Sequence, residues 1–300
     1  MTLLAIDSAS LWYRAYYGMP DTLTSPSGKP VNAIRGFIDM TARLITHYRP
    51  DRVLLCLDGD WRPSWRVELF PAYKENRIDA DGEEEEPDLL SPQVPIILDF
   101  FDAFGLPIIG VDDYEADDVL ATIATTQPGP IRIATGDRDL FQLVDDDRDV
   151  KVAYLAKGIS SHELVDRDWI ANKYEIPGDR YGLFAMIRGD ASDGLPGIRG
   201  IGEKGAALIA NQFAEMSDVI SAAQSGDSKL PANLAKKLLA DIAYAEIATE
   251  LVSCARDIRL PEVDLRLPQA PSNSKVLERI TKEYGLGTSL GRLKAALHWS

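Results

Sequence analysis

Three histidines and two cysteines are all the imidazole and thiol that this 300-residue chain offers. His47, His162 and His298 lie outside every acidic motif described below, so any metal would have to be held by oxygen. Cys56 and Cys254 give no disulfide framework. Cys56 lies inside the apolar run VLLCLD and is expected to pack as a small hydrophobe. Long apolar runs are missing too: none approaches membrane-spanning length. The N-terminus reaches Asp7 after only a few apolar residues, too short a run for a signal-peptide core. The expectation is a soluble, cytoplasmic protein with no membrane partner. Positive charge is also scarce. Asp+Glu 47 against Lys+Arg 32 gives a formal net charge of -15, and no Lys or Arg falls between Arg77 and Arg132. Taken alone, that argues against a nucleic-acid binder, which normally shows a basic surface. Whether the acids are spread or clustered decides how the charge is read.

The 45% hydrophobic content supports a globular protein of one large or two smaller domains. Leu3–Asp7 (LLAID) and Val53–Asp58 (VLLCLD) are apolar runs ending in Asp, which read as buried strands with a carboxylate at the C-terminal tip. Leu106–Val111, Ile131–Asp137 and Val150–Leu155 read as further strands. Val31–Tyr48 reads as a helix with Ile34, Phe37, Ile38, Ala42 and Ile45 on one face. This alternation predicts an α/β fold with a mostly parallel central sheet flanked by helices. In such sheets the functional crevice lies beyond the carboxyl ends of the strands, where Asp7, Asp58 and Asp137 fall.

Between Asp60 and Phe101 the pattern breaks. Trp61–Arg77 mixes aromatic and basic residues, and the acidic, Pro-punctuated IDADGEEEEPDLLSP that follows reads as an insertion over the sheet edge. From Asp166 onward helices dominate, with one or two brief extended pieces such as Val263–Leu267. Asp179–Arg188 is expected to be a helix with Tyr181, Phe184, Ala185 and Ile187 available for packing. It precedes the glycine-dense GDASDGLPGIRGIGEKGAALIANQF.

The candidate ligands are Asp7, Asp58, Glu115, Asp117, Asp118, Asp137, Asp139, Asp190 and Asp193. So many carboxylates packed together would not all stay ionised without cations; their pKa values rise, or divalent metals neutralise them. An oxygen-only set favours Mg²⁺ or Mn²⁺, and two ions about 4 Å apart suit phosphodiester hydrolysis. Each acidic motif alone also has a structural explanation, because acids stabilise helix N-termini and Asp is common in turns. Gly200-Ile201-Gly202-Glu203-Lys204-Gly205 fits G-x-G-x-x-G but does not follow a strand, and Glu203 breaks the Walker A pattern. A glycine hairpin between helices instead offers backbone N–H groups to a phosphate, which suits sequence-independent DNA contact. In Tyr73-Lys74-x-x-Arg77 the ring could stack on an unpaired base, and the cations could hold a scissile phosphate.

The set LLAID, VLLCLD, AYKENR, EADD, TGDRD, GDASDGLPGIRGIGEKGA and YGLGTSLGRL resembles the bacterial 5′-nuclease family of flap endonucleases and the 5′→3′ exonuclease domain of DNA polymerase I. The resemblance spans nearly the whole chain. It implies a SAF or PIN-like nuclease core over residues 1–165 with an arch insertion at about 61–95. A helical DNA-binding region over 166–300 would contain a helix–three-turn–helix at about 179–213. It implies a first metal at Asp7, Asp58, Glu115 and Asp117, with Asp118 at or next to that site. A second metal would draw on Asp137, Asp139, Asp190 and Asp193. Lys74 and Arg77 match residues that contact the scissile phosphate, Tyr73 an aromatic that stacks on a base, and Arg14 a basic position near the substrate. At the hairpin, Arg199, Gly200, Gly202 and Lys204 would meet DNA, and a K⁺ ion would sit on backbone carbonyls.

The implied protein is a monomeric, divalent-metal-dependent 5′ nuclease working at the bacterial nucleoid. Its partners are DNA with 5′ flaps, nicks or junctions, and RNA-primed DNA. One departure stands out: where many relatives carry basic arch helices, 79–88 is strongly acidic. The competing readings are a PIN-type ribonuclease and a non-catalytic junction-binding protein.

Overall fold

The computed structural model describes residues 1–78, 87 and 89–299. The acidic arch segment expected over 79–88 therefore lies almost wholly outside the described residues. Six strands form one sheet: β1 Leu3–Asp7, β2 Arg52–Cys56, β3 Ile108–Ile109, β4 Ile131–Thr135, β5 Val150–Tyr154 and β6 Glu163–Val165. Their order is β3-β2-β1-β4-β5-β6. The first five are parallel, and β6 pairs antiparallel to β5. The expected mostly parallel sheet is present.

Alternation along each strand sends side chains to two separate cores. Leu3, Ala5, Leu54, Cys56, Ile131 and Ile133 face one, while Leu4, Ile6, Val53, Leu55 and Ala134 face the other. Both faces are dry because helices cover both, which is why these strands read as unbroken apolar runs.

Among the described residues the first five helices are α1 Ser8–Gly18, α2 Asn32–Tyr48, α3 Ser64–Leu69, α4 Val94–Phe104 and α5 Ala116–Thr126. Eight follow: α6 Arg167–Tyr174, α7 Tyr181–Arg188, α8 Glu203–Ala210, α9 Met216–Ser225, α10 Ala232–Ala240, α11 Ile242–Val252, α12 Ser274–Tyr284 and α13 Gly287–Ala296. None of the described helices is long and apolar enough to cross a membrane. The expected face of α2 is buried at Ile34, Phe37, Ile38, Ala42 and Ile45.

Two differences from the sequence expectations have physical causes. β3 is only two residues long, because Pro107 has no N–H to donate and the chain turns at Val111, whose carbonyl accepts from Tyr114 N at 3.0 Å. The extended piece at 263–267 fills the gap this leaves beside β2: Val53 N donates to Leu265 O at 2.9 Å, and Arg52 bridges to Arg266. The C-terminal helices do not stay with the others. Leu277, Ile280, Leu286 and Leu293 are buried in the α2–α4 core on one face of the sheet.

This topology fixes the site. β1 lies between β2 and β4, and the chain order reverses across it. Asp7 ends β1, while Asp58 and Asp137 lie two residues past β2 and β4. Three adjacent strands thus deliver one carboxylate each to one end of the sheet, at a topological switch point.

Candidate active site

A cleft of about 480 Å³ opens at that end of the sheet, lined by Asp7, Asp58, Glu115, Asp117, Asp137 and Asp190. Lys74 and Arg77 line it as well. Each acid is set in place by its local backbone. Asp7 caps α1, accepting from Ser10 N at 3.1 Å, and its other oxygen accepts from Thr135 Oγ1 at 2.6 Å. Asp58 accepts from Ala116 N at 2.7 Å, tying β2 to the start of α5. Glu115 and Asp118 form the capping box of α5, and Asp117 lies in its first turn. Asp137 accepts from Asp139 N at 2.7 Å and donates its own N–H to Thr135 Oγ1 at 2.9 Å.

The electrostatics divide these acids into two sets. In the first, cations are built in. Lys74 Nζ and Arg66 both pair with Glu115, whose Oε2 also accepts from Tyr73 OH at 2.8 Å. Burial pushes the Glu115 carboxyl up, but Lys74 and Arg66 outweigh it and hold it below its ordinary value. Arg138 Nη2 donates to Asp190 at 2.8 Å, Arg188 Nη2 lies 3.5 Å from Asp139, and Arg77 pairs with Asp193. In the second set, Asp7, Asp58, Asp117 and Asp137, no salt bridge to Lys, Arg or His forms among the described residues. Burial pushes Asp7 up to about 7, with Asp58 and Asp137 adding to the rise. Asp117 stands well above its ordinary range through burial, then through Asp137 and Asp7. Asp139 is pushed up to about 8 by burial, with Asp137 and Asp190 adding. The four acids line the cleft, but among the described residues no three His, Cys, Asp or Glu side chains converge closely enough to enclose a metal ion.

Three expected site residues meet geometry that gives them other work. Asp118 is fully buried, pairs with Arg66 Nη2 at 2.8 Å and accepts from Ala255 N at 2.7 Å, so it faces away from the cleft. Tyr73 is 4% exposed with its hydroxyl committed to Glu115, which leaves no ring face for a base. Arg14 lies behind the rim, donating from Nη1 to Ala156 O at 3.4 Å, while its Nε is buried without a partner among the described residues.

Arg199, Gly200 and Gly202 are exposed on the loop that enters α8, and Lys204 is exposed in its first turn. The turn before it requires glycine: a Cβ at Gly189 would lie 2.4 Å from Gly197 N, with Gly189 itself at φ +78. That loop meets the arch base where Lys74 N donates to Asp193 O at 2.9 Å.

Residues 2–175 match the family described as 5′-3′ exonuclease, N-terminal resolvase-like domain, and residues 176–274 match its C-terminal SAM fold. The chain belongs to the 5′-3′ exonuclease family. A 5′-3′ exonuclease of Streptomyces coelicolor is 44% identical over 299 residues, covering 98% of this chain and 99% of that protein. A DNA polymerase I of Mycobacterium tuberculosis is 31% identical over 283 residues, covering 93% of this chain and 30% of the polymerase. In fold, the chain is similar to a bacteriophage T5 flap endonuclease crystallised with DNA and metal ions, with a TM-score of 0.63 at 18% identity, covering 98% of this chain and 100% of that one.

The sequence reading of this 5′-3′ exonuclease missed three cations, Arg66, Arg138 and Arg188. Arg66 is 3% exposed, with its guanidinium 4.3 Å from the Trp65 ring centroid. A basic residue on the helix face shared with Phe70, which packs on Tyr244, was the one available signal. Arg138 lies between Asp137 and Asp139 and Arg188 two residues before Asp190, and the local sequence does not show which acid each one pairs with.

Proposed function

We propose that this chain is a divalent-metal-dependent, structure-specific 5′ nuclease acting on DNA with 5′ flaps, nicks or junctions. The observation that carries this reading is the set of four recessed carboxylates that have no salt-bridge partner among the described residues, at one cleft that Lys74 and Arg77 also line. Recessed carboxylates are tolerated when they are paired, protonated or coordinating a cation. An all-oxygen set fits Mg²⁺ or Mn²⁺. Asp7, Asp58, Asp117 and Asp137 would hold such ions, with Glu115 beside them and Asp139, Asp190 and Asp193 on the second side. The chemistry divalent ions supply at such a site is water activation and charge neutralisation at the scissile phosphate.

The chain's own residues supply the rest. Lys74 and Arg77 would place fixed positive charge in the same cleft as the acids, where negative charge develops on the phosphate in the transition state. Their carboxylate partners, Glu115 and Asp193, hold both cations in one position before substrate arrives. Residues 1–165 would form the catalytic unit and 166–300 the helical DNA-gripping region, the chain acting as a monomer. Product mapping on a 5′-labelled double-flap substrate, with Mg²⁺ and Mn²⁺ compared, tests this reading. Cleavage near the junction leaving a 5′-phosphate is expected; no hydrolysis with either ion would overturn it.

The exposed hairpin supports duplex binding on a second surface. Lys204 would contact a backbone phosphate from the first turn of α8. Lys204→Ala is expected to weaken duplex binding across sequences and to lower the salt slope by about one. An unchanged slope in a binding titration between low and moderate salt would remove Lys204 from the interface.

A further inference from the structure

The resemblance implies a K⁺ ion on the hairpin carbonyls, and the residues present do not fit one. Lys237 Nζ donates to Gly200 O at 2.6 Å. The stem of Lys237 runs over the glycine, with Cε 3.5 Å from where a Cβ on Gly200 would stand. Gly200 holds φ +80, a conformation that glycine adopts without steric cost, and its carbonyl accepts from the Lys237 ammonium.

The helix that carries the lysine is held there by packing. Leu234 and Leu238 on α10 are buried, and the exposed Lys237 lies three positions after Leu234, one turn along the helix. Leu234 Cδ2 lies 3.5 Å from a Cβ position on Gly205, so α10 rests against the first turn of α8. One helical turn further on, Asp241 Oδ2 accepts from Arg199 N at 2.9 Å. Lys237 and Asp241 thus satisfy an acceptor and a donor on adjacent hairpin residues.

We infer that the Lys237 ammonium is the hairpin's resident cation, so that the DNA-gripping loop of this chain is set by a tethered side chain and needs no monovalent metal. An ammonium and a K⁺ ion each bring one positive charge to a carbonyl. The tethered one does not depend on ionic composition.

This inference rests on the nuclease reading only for its consequence, so its primary test uses the free protein. Hydrogen exchange over the peptide containing 198–206 is measured at one ionic strength supplied by KCl, NaCl or choline chloride, choline being too large for a carbonyl site. The wild type is expected to exchange at the same rate in all three. Lys237→Gln is expected to exchange several-fold faster in choline and to be slowed by KCl. Lys237→Arg, which keeps a cationic donor, is expected to behave as the wild type. A wild-type hairpin that loosens when K⁺ is withdrawn would overturn the inference, as would a Lys237→Gln hairpin indifferent to the cation. Nicked-duplex affinity in the same salts then reports the consequence. If exchange behaves as expected while no duplex binds in any salt, the nuclease reading fails and the tethered cation stands.

Discussion

Asp117→Asn is expected to abolish flap cleavage while making the metal-free protein more resistant to heat. The carboxyl of Asp117 stands well above its ordinary pKa because burial, Asp137 and Asp7 all oppose its charge. The sign follows from linkage. A carboxyl whose folded pKa is raised binds its proton more tightly when folded, so folding stability falls as pH rises from the ordinary carboxylate range up through the raised folded value. At neutral pH an amide of the same shape avoids that cost. It also removes an anionic oxygen from the set offered to a divalent ion, and catalysis is expected to fall by about a hundredfold or more. Two measurements check this together: single-turnover cleavage of a 5′-flapped duplex in Mg²⁺, and thermal denaturation in EDTA and in Mg²⁺. The wild type should gain melting temperature on adding Mg²⁺, because a ligand that binds only the folded state stabilises it. Asp117→Asn should start higher and gain less. A variant that melts lower than wild type in EDTA, or that cleaves at near-normal rate, would sink the assignment of Asp117.

The second large effect concerns a residue outside the cleft. Arg66→Met is expected to destabilise the fold by about 3–5 kcal/mol, the usual cost of breaking a buried ion pair from one side. Arg66 neutralises both Glu115 and Asp118, and each of those side chains is 5% exposed or less. Methionine keeps much of the apolar contact with Trp65 and Tyr73 but leaves Asp118 with no cation. The drop in melting temperature should reach roughly 6 °C. Asp118→Asn in the Arg66→Met background should recover part of the loss, since it removes the stranded charge. A single variant melting within a degree or two of wild type would show that Arg66 does not carry this pair.

The acidic cluster at the cleft was legible because its parts are local. Leu3–Asp7 forms β1 over the residues the apolar run indicates, and the predicted packing faces of α2 and α7 are buried. An apolar run ending in Asp needs only a parallel sheet around it to place that Asp at a strand end. Tyr73 was illegible for the opposite reason. An aromatic beside two basic residues has the composition of a base-stacking platform, and only the contact with Glu115, far along the chain, turns its hydroxyl inward. Asp118 next to Asp117 makes the same point: consecutive helix positions point in different directions, one into the cleft and one towards Arg66.

By itself the sequence determined the alternation of strands and helices, the oxygen-only character of the site and the three strand ends that carry carboxylates. Those follow from periodicity and residue chemistry, which act over a few neighbouring residues. The tertiary structure decided which carboxylates own a cation. Arg66 reaches Asp118 across 52 positions, Arg138 reaches Asp190 across 52, and Lys237 reaches Gly200 across 37. Charge pairing in a folded chain is settled by distance in space, and local pattern holds no record of it until packing brings the partners together.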